Sequence, residues 1–141
     1  MNQIDEIKFV NEQIQNQNYV VLPDTIAIGS VYKISAFGNL NDDGYEVGYL
    51  YLPAGSGIKE HVHVNDIERY KLLSGILRIK DSNADVNICL LDNSHCIDKV
   101  TEPTIIQTCK INKNYLGMLN DFSTESFDRV VYQEKNQKIQ K

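Results

Sequence analysis

Two histidines and a glutamate lie close together near the middle of the chain, at His61, His63 and Glu68. Successive side chains of a strand point to opposite faces, so His61 and His63 would project to the same side of an extended segment. Asn65 and Asp66 favour a chain reversal, which would return Glu68 opposite the two imidazoles. Two imidazole nitrogens and a carboxylate oxygen suit a borderline divalent ion. The spacing therefore predicts a site for one divalent metal ion: Zn, Fe, Mn or Ni.

Each of these residues also has a simpler interpretation. A histidine pair in a strand is often a surface feature, and Glu68 could pair with Lys59 or Arg69 instead. Tyr70 is predicted to point into the same cavity as Glu68, where its phenol is a candidate catalytic acid, base or hydrogen-bond donor. The alternative for Tyr70 is packing with a satisfied hydroxyl. No pattern typical of a Ser-His-Asp triad or a phosphate-binding loop is present, so no residues are predicted to bind an organic cofactor.

The elements that would position these side chains are short and β-rich. Many short strands with turn residues every eight to twelve positions or so, and no long helix between them, predict an all-β antiparallel sandwich or barrel. The predicted strands are Tyr19–Leu22, Ile26–Phe37, Tyr45–Leu52, Ile58–Val64, Glu68–Leu73, Ile76–Ile79, Val86–Leu91, His95–Val100 and Thr104–Ile111. Tyr45, Tyr49 and Tyr51 share one face of their strand, either at the mouth of a cavity or, as we prefer, in the core or a subunit contact.

Helical patterns flank this β-rich region. Near the N-terminus, apolar side chains recur at helical spacing at Ile4, Ile7, Val10 and Ile14. Near the C-terminus, a helix from Ser123 onward would place Phe127, Val130 and Val131 on one side, against the barrel, before fraying into a charged end. The predicted organisation is an N-terminal helical extension at 1–18, a β-barrel at 19–118 and a C-terminal helical tail at 119–141.

The length, net charge and composition of the chain disfavour some classes of protein. The 141 residues suit one domain, and the net charge of −5 disfavours nucleic acid or an anionic membrane as a partner. We find no membrane-spanning apolar run and no signal-peptide pattern, so the chain is expected to be soluble and cytoplasmic. Cys89, Cys96 and Cys109 contain no CxxC pair and are predicted to be reduced thiols rather than disulfides or zinc ligands.

The segment from Gly55 to Gly75 reads G-x5-H-x-H-x4-E-x6-G, which matches every fixed position of the first motif of the cupin superfamily. The run that begins at Glu68 and ends at Gly75 also resembles the strand and turn that usually follow in that family. The resemblance implies a jelly-roll barrel that holds a metal ion inside, with His61, His63 and Glu68 as ligands. Cupins commonly pair through their sheets, so the resemblance also implies a homodimer.

The second cupin motif, G-x5-P-x-G-x2-H-x3-N, supplies one more histidine ligand. The remaining histidine of the chain is His95, which precedes the predicted strand Thr104–Ile111 at about the place of a cupin's last ligand strand. The resemblance therefore implies His95 as the fourth ligand. The other fixed positions of this motif would fall on Ala84, Leu90, Asp92 and Lys99, and none of them matches. A turn histidine after Asn93 and Ser94 is the alternative.

A site of three histidines and one glutamate would leave coordination positions open for a small organic ligand. The cupin resemblance admits dioxygenases, isomerases, decarboxylases and lyases, and we expect an enzyme that acts on a small carboxylate, diketone or sugar derivative. The alternative is a non-catalytic module that senses or stores a small ligand or metal. A third possibility is a structural, dimerising barrel with a vestigial site.

Overall fold

The computed structural model describes residues 2–80, 88–91, 94–118 and 124–134. The helices are α1 (Gln3–Gln15), α2 (Leu40–Asp43), α3 (Lys113–Met118) and α4 (Thr124–Arg129), and a π-helical turn (Val130–Glu134) follows α4. The strands are β1 (Val20–Val21), β2 (Ala27–Ile28), β3 (Tyr32–Phe37), β4 (Tyr45–Leu52), β5 (Gly57–His61), β6 (Asp66–Ser74), β7 (Ile79–Lys80), β8 (Ile88–Leu91), β9 (His95–Ile97) and β10 (Thr104–Asn112). None of the helices in these ranges has the length and apolar character needed to cross a membrane.

The ten strands of the described ranges form two sheets, and every strand pair is antiparallel. The larger sheet has the order β1-β3-β4-β10-β6-β8, and the smaller has the order β2-β5-β9-β7. Consecutive strands such as β5 and β6 belong to different sheets, so the chain passes repeatedly from one sheet to the other. The predicted all-β antiparallel jelly-roll barrel with short helical ends is confirmed.

An apolar core lies between the two sheets. Alternation along β4 points Leu50 and Leu52 inward, and Ile58 of β5 and Ile97 of β9 meet them from the smaller sheet. Burial of aliphatic side chains of this size contributes about 1.5–3 kcal/mol each, so these contacts are a main source of barrel stability. Tyr70 belongs to the same cluster. The core therefore borders the predicted site directly.

The terminal helices cover the outer face of the larger sheet. Helix α1 packs Val10 into a cluster with Ile34, Tyr49, Leu73 and Ile105. The C-terminal segment packs Phe127, Val130 and Val131 against Tyr45, Val47, Ile67, Cys109 and Ile111. Both predicted terminal helices therefore lie on the barrel. Tyr45 and Tyr49 are buried under them, so their interpretation as core residues is confirmed and the cavity-mouth alternative is wrong.

A chain of polar side chains, buried except for the half-exposed Asp128, runs beneath these helices. Glu6 of α1 accepts hydrogen bonds from the Tyr49 hydroxyl (2.9 Å) and the Gln107 amide (2.5 Å). Gln107 in turn accepts a hydrogen bond from Arg69 (2.7 Å), and Arg69 pairs with Asp128 of α4 at 2.5 Å. Burial, followed by the negative charge of Glu6, raises the pKa of Tyr49, so its phenol stays protonated and donates. The network ties both terminal helices to the sheet.

Several predicted strands differ from the observed ones. Of the predicted strand Ile76–Ile79 only Ile79 belongs to β7, and the predicted strand His95–Val100 ends at Ile97. The predicted strand Ile26–Phe37 is divided into β2 and β3, which belong to different sheets, because the chain crosses between the sheets at 29–31. The predicted strand Ile58–Val64 ends at His61, where the pairing of β5 with β9 ends. Val62 and Val64 are exposed beyond that point.

Some of the predictions made from the sequence are not tested by the described residues. The division of the chain at 18/19 and 118/119 stays a prediction, and the side chain of Cys89, the predicted turn at 81–85 and the tail after 134 lie outside the described residues. Cys96 and Cys109 are free thiols, as expected. Burial raises the pKa of Cys109 to about 12, so this thiol is protonated at neutral pH and a poor nucleophile.

Candidate metal centre

His61 and His95 face each other on neighbouring strands of the smaller sheet. His61 is the last residue of β5, His95 is the first of β9, and the two are direct cross-strand partners. Their ring centroids are 4.3 Å apart. His95 belongs to a strand and is buried at 2% exposure, so the alternative of a turn histidine after Asn93 and Ser94 is wrong.

His63 reaches the same place from the loop after β5, not from the strand itself. Its ring centroid lies 5.0 Å from that of His61 and 5.9 Å from that of His95. The simple strand argument for the histidine pair is therefore only half right. The chain bends only after His63, at 64–65, and the His63 ring still lies beside the other two.

Glu68 completes the cluster from the opposite sheet. Alternation along β6 points its carboxylate into the barrel, where Glu68 is 3% exposed. Its Oε1 lies 3.2 Å from Nε2 of His63 and 3.8 Å from Nε2 of His95. Each of the four residues, His61 included, offers one ligand atom, and these four atoms lie within 4.8 Å of one another. The alternative of a surface ion pair for Glu68 is wrong, because the side chain is buried in the barrel.

Contacts behind two of the imidazoles orient their rings. Nδ1 of His61 is 2.9 Å from the carbonyl oxygen of Lys59, which can only accept, so Nδ1 carries the proton and Nε2 keeps its lone pair. Nδ1 of His63 lies 3.4 Å from Oδ2 of Asp66. A carboxylate or carbonyl behind a ligating imidazole is the usual outer support of a histidine metal ligand. Both rings thus present Nε2 to the cluster.

The cluster shifts two pKa values in opposite directions. The polar contact with Glu68 raises the pKa of His63, although burial opposes this, and the charges of Glu68 and Asp66 add to the rise. Burial by itself would raise the pKa of Glu68, but the contact with His63 and the nearby charges of Lys110 and the histidines lower it overall. Glu68 is therefore ionised at neutral pH, as a metal ligand must be.

The arrangement fits a divalent metal ion. Nε2 of His63 is buried without a hydrogen-bond partner, and it faces a carboxylate oxygen of Glu68 at 3.2 Å. A neutral His63 has a lone pair on one ring nitrogen and faces a carboxylate oxygen at both of them, so a lone pair and an anionic oxygen would repel each other unless positive charge lay between them. A proton on Nε2 or a metal ion both supply that positive charge. Nitrogen and oxygen donors in this number suit Zn, Fe, Mn or Ni.

A cavity of about 170 Å³ opens beside the cluster. Tyr70 lines it, as predicted, with its ring 5.8 Å from that of His95 in an edge-to-face arrangement. Apolar side chains form much of the remaining wall, namely Leu22, Ile26, Leu50 and Ile58. The cavity has the size and composition for a small organic molecule.

Sequence reasoning missed several polar residues of this region. Asp66 was read only as a turn residue, although its position three residues after His63 was a usable signal. Lys33, Glu46 and Lys110 also line the cavity, and they come from three different strands. No local spacing connects them, so only the strand register brings them together.

No protein-family model matches the sequence, and a search of curated proteins also finds no match. Solved structures do resemble the fold. A predicted oxalate decarboxylase from Thermotoga maritima has a TM-score of 0.57 at 17% identity, over 67% of this chain and 92% of that one. An acetylacetone dioxygenase from Acinetobacter johnsonii has a TM-score of 0.53 at 14% identity, over 68% of this chain and 69% of that one. A cupin-like protein from Thermotoga maritima has a TM-score of 0.54 at 9% identity, over 68% of this chain and 78% of that one. At these identities the likeness is one of fold.

Proposed function

We propose, from the premise that this chain is a cupin by fold, that it is a metal-dependent enzyme acting on a small organic molecule. One observation carries the proposal: four ligand atoms from His61, His63, Glu68 and His95 lie within 4.8 Å of one another, beside a cavity that the first three of these residues line. Two of these residues, Glu68 and His95, are buried, and polar groups that converge in the interior of a barrel are costly for a fold unless they have a use. Binding one divalent ion is the use that fits their chemistry.

The four residues would hold the ion on the cavity side of the barrel. Four protein donors leave positions open on a six-coordinate ion, and a bound ion supplies Lewis acidity or redox chemistry to a ligand that occupies them. Lys59 and Asp66 keep the His61 and His63 rings turned towards the ion. The apolar wall excludes water from the ligand and so strengthens its polar interactions.

Tyr70 is the candidate catalytic residue. It shares the inner face of β6 with Glu68, is 2% exposed, and contributes to the cavity wall. In this position its phenol can donate a hydrogen bond to a ligand oxygen or move a proton to it. We assign Tyr70 that role because it is a proton-bearing side chain of the wall that is not one of the four donors.

The structural neighbours support a ligand that chelates through oxygen. Their names mention acetylacetone and oxalate, which are small molecules with two oxygen atoms placed to bind one ion. By analogy, we propose that the substrate of this chain also offers a pair of oxygens. Fold likeness does not select a reaction, and the proposal therefore covers the chelating substrate and the metal but no single reaction class.

A second function, a non-catalytic binding module, is favoured by a different observation. The donors come from both sheets, since His61 and His95 belong to the smaller sheet and Glu68 to the larger. An ion held by all of them would clamp the two sheets together. In that case metal binding would chiefly raise stability, by an amount that follows from its affinity and concentration.

Metal analysis of the purified protein tests the site first. We expect about one divalent ion per chain, lost in His63→Ala and kept in Val64→Ala, which changes an exposed residue of the same loop. A folded wild-type protein that binds no metal under saturating conditions would remove both functions.

Turnover then separates the two functions. Oxygen-chelating carboxylates and diketones would be screened with metal-loaded and metal-stripped protein. Activity that requires metal and falls in Tyr70→Phe with metal content unchanged supports the enzyme. A metal-dependent rise in melting temperature without turnover supports the binding module, and full activity of the stripped protein contradicts the enzyme proposal. The expected homodimer and cytoplasmic location stay predictions.

A further inference from the structure

A row of charged side chains crosses the inner face of the larger sheet beside the candidate metal centre. Lys110 of β10 stands directly opposite Glu68 of β6 on one side and Glu46 of β4 on the other. Lys33 of β3 reaches the same carboxylate. Its Nζ lies 3.5 Å from Oε2 of Glu46, and Nζ of Lys110 lies 4.0 Å from that same oxygen.

The two ammonium groups are only partly neutralised by Glu46. Both approach a single carboxylate oxygen, and at 3.5 and 4.0 Å neither makes a short hydrogen bond. The side chains of Lys33, Glu46 and Lys110 are 35%, 31% and 23% exposed, so they stand where the cavity meets solvent rather than in the closed core. An entering anion can therefore reach the ammonium groups.

The charge of the cavity changes when a metal ion is present. Among the described residues that line it, the ammonium groups of Lys33 and Lys110 balance the carboxylates of Glu46 and Glu68. A divalent ion adds two positive charges, of which the Asp66 carboxylate beside His63 offsets one. A ligand that brings negative charge restores the balance, whereas a neutral ligand leaves a positive cavity with low-dielectric walls.

We propose that Lys33 and Lys110, with Glu46 holding them in place, form a carboxylate-recognising rim. The inference rests on the proposed metal site. The preferred ligand is then a small organic acid with two functional ends. One end offers a pair of oxygens to the metal, the middle lies against the apolar wall, and a carboxylate at the other end is held by the two ammonium groups.

A matched pair of probes tests the rim. Butanohydroxamate and succinic acid monohydroxamate share a metal-chelating head and a chain of equal length, and they differ at the far end, which is a methyl group in one and a carboxylate in the other. Calorimetric titration of metal-loaded protein should give about tenfold tighter binding of the monohydroxamate, because a carboxylate held by ammonium groups makes charge-assisted hydrogen bonds. In Lys33→Gln and Lys110→Gln the preference should shrink, and in the double variant it should vanish.

The control is Lys8→Gln, which removes the same charge from the exposed side of α1 and should keep the full preference. Metal content and melting temperature of every variant are measured first, so that a lost site is not mistaken for a lost rim. Equal affinity for the two probes in wild-type protein that carries metal, or no binding of either, overturns the rim and leaves the metal site standing. Failure to bind metal at all is the separate failure of the proposed function.

Discussion

On the outer face of the larger sheet Arg69 is fully buried between Asp128 and Gln107, whereas on the inner face its neighbour Glu68 meets two imidazoles and a cavity. Both residues are charged, and both belong to β6. On the outer face donors meet acceptors, from Glu6 through Gln107 to Asp128. On the inner face groups with lone pairs converge on one point.

This difference separates a structural use of buried charge from a functional one. A buried network in which donors and acceptors match holds elements in place and needs nothing from outside. A buried cluster of converging acceptors is completed only by a cation. The outer network is therefore expected to determine stability, and the inner cluster to determine metal affinity.

The largest effect is expected from Arg69→Met. This change leaves the Asp128 carboxylate and the buried Gln107 carbonyl without their donor, which should lower the free energy of unfolding by about 3 kcal/mol. Urea denaturation of metal-free protein measures it, with Lys8→Met as the exposed control. Metal bound per folded chain should stay as in the wild type. If folded Arg69→Met lost metal binding, the assignment of stability to the outer network and of metal affinity to the inner cluster would be contradicted.

A change at the neighbouring residue, Glu68→Gln, should instead lower metal affinity strongly and change the stability of the metal-free protein little. It removes the anionic ligand while it keeps the shape of the side chain, so metal affinity should fall at least about a hundredfold. The unfolding free energy of metal-free protein should change by less than about 1 kcal/mol. Competition with a metal-binding dye measures the affinity, and Glu46→Gln is the matched control on the same inner face. Equal affinities of the two variants would contradict the assignment of Glu68.

A smaller effect is expected from Asp66→Asn. Asp66 stands behind His63, 3.4 Å from its Nδ1, and would orient the ring rather than bind the ion. Removal of such a support typically weakens metal binding by about tenfold. The same dye competition measures the change, with Asn65→Ala in the adjacent exposed turn as the control. A loss as large as that of Glu68→Gln would make Asp66 a ligand in its own right.

The smallest effect is a pH dependence of the metal-free protein. The raised pKa of His63 adds stability that is present below the unfolded-state pKa and is lost as pH rises through the folded-state value. The lowered pKa of Glu68 adds stability that is present above its unfolded-state pKa and is lost as pH falls through its folded-state value. The contact between His63 and Glu68 should therefore stabilise the metal-free protein most at mildly acidic pH, between the unfolded-state pKa of Glu68 and that of His63.

Melting temperatures across that interval, in wild type and His63→Asn, measure this contribution. Metal affinity should show the reverse trend and rise with pH, because the ion must displace the His63 proton. A pH-independent metal affinity over the titration range of His63 would exclude His63 as a ligand.

Local spacing was enough to predict part of the site. His61, His63 and Glu68 lie within eight residues of sequence, so the end of one strand, a short loop and one reversal bring them together with little help from the rest of the fold. The helical ends were predictable for the same reason, because an apolar stripe is a local pattern. His95 could be predicted only through the cupin resemblance, since its second motif otherwise fails to match.

Tertiary structure alone decided the features that depend on strand register. The row formed by Lys33, Glu46 and Lys110 requires three strands to lie side by side in one register, and distant segments of sequence do not specify that register locally. The end of β5 at His61 and the division of the predicted strand Ile26–Phe37 likewise follow from where partner strands stop. The amino-acid sequence by itself determined which side chains carry the chemistry, and long-range strand pairing determined which of them share a cavity.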